Sequence, residues 1–194
     1  MTHPNLPVST LARPARRLFV ANGLKLSAAA VALLGGRVAL AARQPESAGN
    51  VAADIRILNG ALQAEHRAIA AYQLGADSGL LRPASKALAL QFQGHHRAHA
   101  ALLEQTVGHL GGTAATPAAD HHFATDALAS EADVLRLAAG LEQGAVSAYL
   151  AAVPRFDNRE LAHAAASILG DEAMHWAVLR QAIGEPPVPA AFVA

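Results

Sequence analysis

Glu65 and Tyr72 recur as Glu142 and Tyr149 at an offset of 77 residues, and Gly94, His96 and His99 are matched by Gly170, Glu172 and His175 at an offset of 76. An offset that holds nearly constant over five positions marks a helical hairpin written twice. The repeated positions carry carboxylate and imidazole groups at spacings that set them on one face of a helix. Architecture and chemistry are therefore constrained by the same repeat.

Composition agrees with helices. The chain is rich in Ala and Leu, only 4% of its residues are aromatic, and no long β-branched run favours a strand. Its 194 residues suffice for one domain with a real core. Cysteine is absent, which excludes disulfides, thiolate zinc sites, iron–sulfur clusters and covalently attached haem. Any metal must be held by His and carboxylate.

The zero net charge hides an asymmetry. Six of the 15 basic groups (Arg13, Arg16, Arg17, Lys25, Arg37 and Arg43) lie in residues 1–43 with no acid among them, leaving nine basic against 15 acidic side chains in the remainder. A mildly acidic body has no basic stripe to neutralise phosphates, so nucleic acid is not an expected partner.

Arg16-Arg17-Leu18-Phe19-Val20 precedes an apolar stretch from Leu26 to Gly36 and then small residues around Ala39-Leu40-Ala41-Ala42. Basic, apolar and small-residue regions in that order read as a secretory leader over residues 1–42, and the paired arginines resemble the twin-arginine type. Export to the periplasm or cell envelope is expected. The uncharged run between Lys25 and Arg37 is 11 residues, short of the roughly 20 that span a bilayer. No stable membrane insertion is expected after cleavage.

Residues 43–52 read as a linker and 53–184 as four helices. Ile55, Leu58, Leu62, Ile69 and Leu74 give the first helix, Ala53 to Ala76, an amphipathic period, and Asp77-Ser78-Gly79 stops it. Pro83 suits the first turn of a second helix, with Leu88, Phe92, Leu102, Leu103 and Val107 inward until Gly111-Gly112. Residues 111–125 lack periodicity and form a longer connection. A third helix is expected from about Asp126 to just before Pro154, and a fourth from an Asp157 or Asn158 cap to Ile183, with Gly184 as stop and a Pro-rich tail over 185–194. Short, longer and short connections join such rods into an antiparallel four-helix bundle, an all-α fold.

Glu65 and Glu142 fall on the first and third helices; the second carries His96-Arg97-Ala98-His99 and the fourth Glu172-Ala173-Met174-His175. Residues three apart project on the same side, so six groups can converge inside the bundle. In this the chain resembles the ferritin-like family, whose dimetal site takes a Glu from each of two helices and a Glu-x-x-His from each of the other two. The likeness covers roughly residues 53–184 and is nearest to the shorter exported ferritin-like proteins of bacteria. It implies metal ligation by Glu65, His99, Glu142, Glu172 and His175.

The second helix departs from that pattern, because His96 stands where the family has glutamate. A neutral imidazole offers one lone pair to one metal, whereas glutamate can bridge two. Three carboxylates also leave two divalent cations with one uncompensated charge, so a single tightly held metal is favoured over two. Iron is the metal the resemblance favours, while three histidines and three carboxylates also suit manganese, zinc or copper. His95, four residues before His99, could replace His96 after a slight rotation of the helix.

Structural roles compete with these assignments. Glu65 could pair with Arg67 or a histidine, and Glu172 with His99. Tyr72 and Tyr149 read as core residues with locally bonded hydroxyls; His66, His109 and His163 as surface or capping groups; Met174 and Trp176 as packing residues; and His121 and His122 as loop histidines. The favoured function is an exported metal-binding protein that oxidises ferrous iron or consumes peroxide. The alternatives are a non-catalytic envelope stress or storage bundle with a degenerate site, and a structural bundle whose polar layer fixes register. A homodimer is compatible with all three. No cage-forming fifth helix is evident.

Overall fold

The computed structural model describes residues 48–193. Four helices account for most of them: α1 (Ala48–Asp77), α2 (Pro83–His109), α3 (Glu131–Ala152) and α4 (Arg159–Ala182), with short 3-10 turns at Thr125–Ala127 and Val153–Arg155. No strand occurs among the described residues. The leader assigned to residues 1–42 lies outside them.

Local chemistry explains the helix limits. Pro83 opens α2, where a missing N–H costs nothing. Gly111 (φ 78°) and Gly184 (φ 80°) take the left-handed conformation after α2 and α4, and the next amide in each case returns to the helix: Gly112 N donates to the Val107 carbonyl and Glu185 N to the Arg180 carbonyl, both at 2.9 Å. Asn158 Oδ1 caps α4 by accepting from the amides of Glu160 and Leu161 at 2.8 and 3.3 Å.

Two expected boundaries move. The third helix starts at Glu131 rather than near Asp126, because Ser130 accepts from the Asp133 amide as its cap while Glu131 and Asp133 sit at the positive end of the helix dipole. Asp126 lies instead in a 3-10 turn. The first helix starts at Ala48, inside the stretch read as a linker, and runs through Gly49 and Asn50, which weaken a helix but do not block it as proline would.

The helices pair as α1 with α2 and α3 with α4, and the two hairpins close into an antiparallel bundle. The 111–125 connection folds back along α1, where Asn59 bonds Thr113 and Ala115, and Gln63 bonds Thr116. Buried Asp54 accepts from the amides of Asp157 and Asn158 at 3.2 and 3.3 Å, tying α1 to the turn that starts α4. Two apolar clusters fill the interior. One gathers Leu58, Leu62, Leu103, Val107, Leu161 and Ile168, the other Ala89, Phe92, Leu135, Trp176 and Leu179. Their positions along the four helices leave the middle of each helix to a polar layer.

Candidate metal centre

That layer is made of the six groups the repeat singles out. Glu65, His96, Glu142, Glu172 and His175 are each at most 2% exposed, and the His99 side chain is 14% exposed. Ionised carboxylates are expensive to bury without a partner of opposite charge, and here three are buried together.

His96 lies at the centre. Its Nδ1 is 2.8 Å from Glu65 Oε2 and 3.5 Å from Glu172 Oε1, and its Nε2 is 3.2 Å from Glu142 Oε1. His99 Nδ1 approaches Glu172 Oε1 at 3.1 Å and Glu65 Oε2 at 3.6 Å. His175 Nδ1 lies 3.3 Å from Glu172 Oε2 and 3.4 Å from Glu142 Oε1, with its ring stacked on Phe92 at 4.1 Å between centroids. Two tetrads result, Glu65–His96–His99–Glu172 and His96–Glu142–Glu172–His175, each with ligand atoms within 4.8 Å of one another. They share His96 and Glu172. His96, not His95, therefore occupies the interior position; the His95 side chain is 40% exposed at the rim.

The tyrosines correct an expectation. Their hydroxyls do not bond locally. Tyr149 on α3 donates to Glu65 Oε1 on α1 at 2.6 Å, and Tyr72 on α1 donates to Glu142 Oε1 on α3. Each hairpin's tyrosine thus positions the glutamate of the other, an exchange that follows from the repeat once the hairpins face each other. Burial, reinforced by the neighbouring carboxylates, pushes both phenols well above their ordinary range, so they remain donors at neutral pH.

Charge is shared across the layer. Burial alone would depress the imidazoles, but the carboxylates override it: Glu142 and Glu65 raise His96 to about 10, Asp171, Glu172 and Glu65 raise His99 to about 11, and Glu142 and Glu172 raise His175 to about 9. Against its own burial, Glu65 is lowered to about 2 by His96 and His99, and Glu142 is lowered by His175 and His96. Glu172 moves the other way, because its desolvation outweighs the histidines around it.

Five buried atoms of the layer have no well-directed hydrogen bond: His99 Nδ1, Glu142 Oε2, both oxygens of Glu172, and His175 Nδ1. Native interiors rarely leave such atoms unsatisfied. All five belong to ligand-type side chains of the two tetrads, so the donor set fits a cation bound by nitrogen and oxygen. A buried His/Glu cluster that could hold a metal is therefore present.

Other side chains sort differently. Asp171, absent from the sequence-based set, is half-buried with Oδ2 3.4 Å from His99 Nε2 and 3.3 Å from His175 Nε2. The same offset of 76 that relates His96 to Glu172 relates His95 to Asp171, which was the available signal. His66 is buried, not superficial, with Nε2 3.3 Å from the Ala115 carbonyl. Met174 is 60% exposed rather than packed, whereas Trp176 is buried in the core. Arg67 stacks over Phe123 instead of pairing with Glu65. His109, His122 and His163 are exposed, as read.

Among solved structures, a conserved hypothetical protein from Mycobacterium tuberculosis is similar, with 27% identity, a TM-score of 0.63, and coverage of 73% of this chain and 97% of that one. No curated protein matches the sequence significantly. The family model for the ferritin-like domain matches residues 53–185, most of the chain and all of the polar layer. By fold and by sequence, the chain belongs to the ferritin-like domain family.

Proposed function

We propose that this chain is an exported metal-binding ferritin-like protein that holds one or two transition-metal ions, iron foremost, and oxidises ferrous iron or consumes peroxide at the buried layer. The observation that carries this reading is the set of five buried, undirected ligand atoms between the two tetrads. Glu65, Glu142 and Glu172 would supply anionic oxygens, and His99 and His175 would turn Nδ1 inward. A bound redox metal contributes electron transfer to dioxygen or peroxide. The chain contributes ligand orientation through the crossed tyrosines and exclusion of bulk water by the apolar clusters.

Access is compatible with small oxidants. A cleft of about 210 Å³ between α1 and α3, lined by Ala64, Ala68, Gly140 and Gly144 among others, reaches Glu65 and His96. Export rests on the leader sequence; no helix among the described residues is long and apolar enough to cross a membrane.

A second reading draws on one specific feature. His96 bonds Glu65 and Glu142 through its two nitrogens, so part of the layer is satisfied without a cation. This favours a non-catalytic storage or stress bundle with weaker binding. Aerobic ferrous oxidation by the folded, exported protein separates the two: turnover that disappears together with bound metal in Glu172→Ala and His175→Ala supports the enzyme, while bound metal without turnover supports the store.

A further inference from the structure

Beside the core layer, His95, Asp171 and His175 form a third ligand group at the seam of α2 and α4, with their ligand atoms within 4.8 Å of one another. His95 Nδ1 lies 2.8 Å from His175 Nε2 and 3.3 Å from Asp171 Oδ2, and Asp171 Oδ2 lies 3.3 Å from His175 Nε2. The side chains run from solvent inward: His95 is 40% exposed, Asp171 26% and His175 2%. The group is thus a ramp from the surface to the wall of the buried layer.

The repeat accounts for its location. His95 and Asp171 each immediately precede a residue shared by both core tetrads, His96 and Glu172, so they emerge one step around their helices at the same height. Two imidazoles and a carboxylate are mixed nitrogen and oxygen donors, which suit a borderline divalent transition cation rather than calcium or magnesium.

His175 belongs to both groups, facing inward through Nδ1 and outward through Nε2. A neutral imidazole has one lone pair, so a cation outside and a cation inside compete for the same ring. The outer group must empty as the core fills. Asp171 is then left to accept from the outer N–H of His99 and His175 and hold both rings in place.

We propose that His95, Asp171 and His175 form an uptake station that captures a divalent transition-metal cation from solvent and hands it through His175 to the buried layer. The proposal rests on the core reading given above. It assigns His95 a role in the rate of loading and none in the final content.

The test is anaerobic uptake of Co2+ alone by metal-free protein, followed by its visible absorption and completed by elemental analysis. The His95→Ala variant, which alters a rim side chain, should reach the same Co2+ content as the parent about tenfold more slowly, since a partly exposed ligand cluster raises local cation concentration and on-rate. Glu172→Gln alters a ligand of both tetrads and should weaken the core while still taking up Co2+ outside, and His95→Ala added to it should remove that binding. An unchanged uptake rate in His95→Ala, or residual binding in Glu172→Gln that ignores His95, overturns the station while leaving the core reading intact. Parent protein that takes up no Co2+ overturns the core reading as well.

Discussion

The two hairpins share a framework and differ in charge. The first contributes Glu65, His95, His96 and His99 to the layer and its rim; the second contributes Glu142, Asp171, Glu172 and His175. One half is rich in imidazole and the other in carboxylate, and imidazoles of the first meet carboxylates of the second at 3.1 to 3.5 Å. A strict duplication would set like charges face to face. Substitution at two adjacent positions of one copy turns repulsion into complementarity, so the layer can be buried before any cation arrives. The cost is a missing bridge: where Glu172 offers two oxygens, His96 offers nitrogens already engaged by Glu65 and Glu142.

Restoring the symmetry is the strongest way to break this comparison. His96→Glu should lower the stability of metal-free protein by about 3–5 kcal/mol, because it removes the cationic partner of two buried carboxylates. Added metal should recover that loss and approach two ions per chain. Thermal unfolding with and without metal, alongside elemental analysis, checks both parts. If metal-free His96→Glu melts like the parent, the charge argument fails.

The imbalance also dictates a pH response. His96, His99 and His175 are raised to about 10, 11 and 9. Their contribution to metal-free stability is complete below the unfolded value of about 6.5 and is lost as pH rises through 9 to 11. Glu65, lowered to about 2, contributes above about 4.5 and is lost as pH falls through its folded value. Unfolding midpoints of metal-free protein should therefore fall steadily between pH 7 and 10, and a flat profile there contradicts protonated imidazoles. Metal binding at pH 7 should release protons, measurable in buffers of different ionisation enthalpy.

The crossed tyrosines sharpen the comparison from the side where the halves agree. Tyr72→Phe and Tyr149→Phe each remove one hydrogen bond to a buried carboxylate, so each should cost about 1.5–3 kcal/mol, and by similar amounts. A large inequality would mean that the exchange of donors between hairpins is not equivalent. At the small end, Arg82→Ala breaks an exposed ion pair with Glu131 that also joins the hairpins. Its melting temperature should match the parent's, since exposed pairs contribute little.

Much of this was legible in the chain. Pro83, Asn158, Gly111 and Gly184 announce helix ends through local backbone chemistry, and the structure places ends at or beside them. The start of α3 differs from the expectation because Asp126 and Ser130 are both capping types, and it is Ser130, followed by Glu131 and Asp133 in the first turn, that takes the cap. Within the site, three-residue spacing identified the core residues because it is a property of one helix. Relations between helices were harder. The Tyr72–Glu142 and Tyr149–Glu65 bonds span 70 and 84 residues, and Asp171 acts on His99 from a different helix. His66 looked superficial because its cover, the 111–125 connection, has no periodicity to read.

Anomalous diffraction from crystals of protein loaded with a single transition metal tests the central claim most directly. The account predicts an anomalous peak inside the bundle within about 2.0–2.2 Å of a Glu172 oxygen and of His99 or His175 Nδ1. A fully loaded protein whose anomalous peaks all lie elsewhere, with the layer closed by His96 alone, would contradict it.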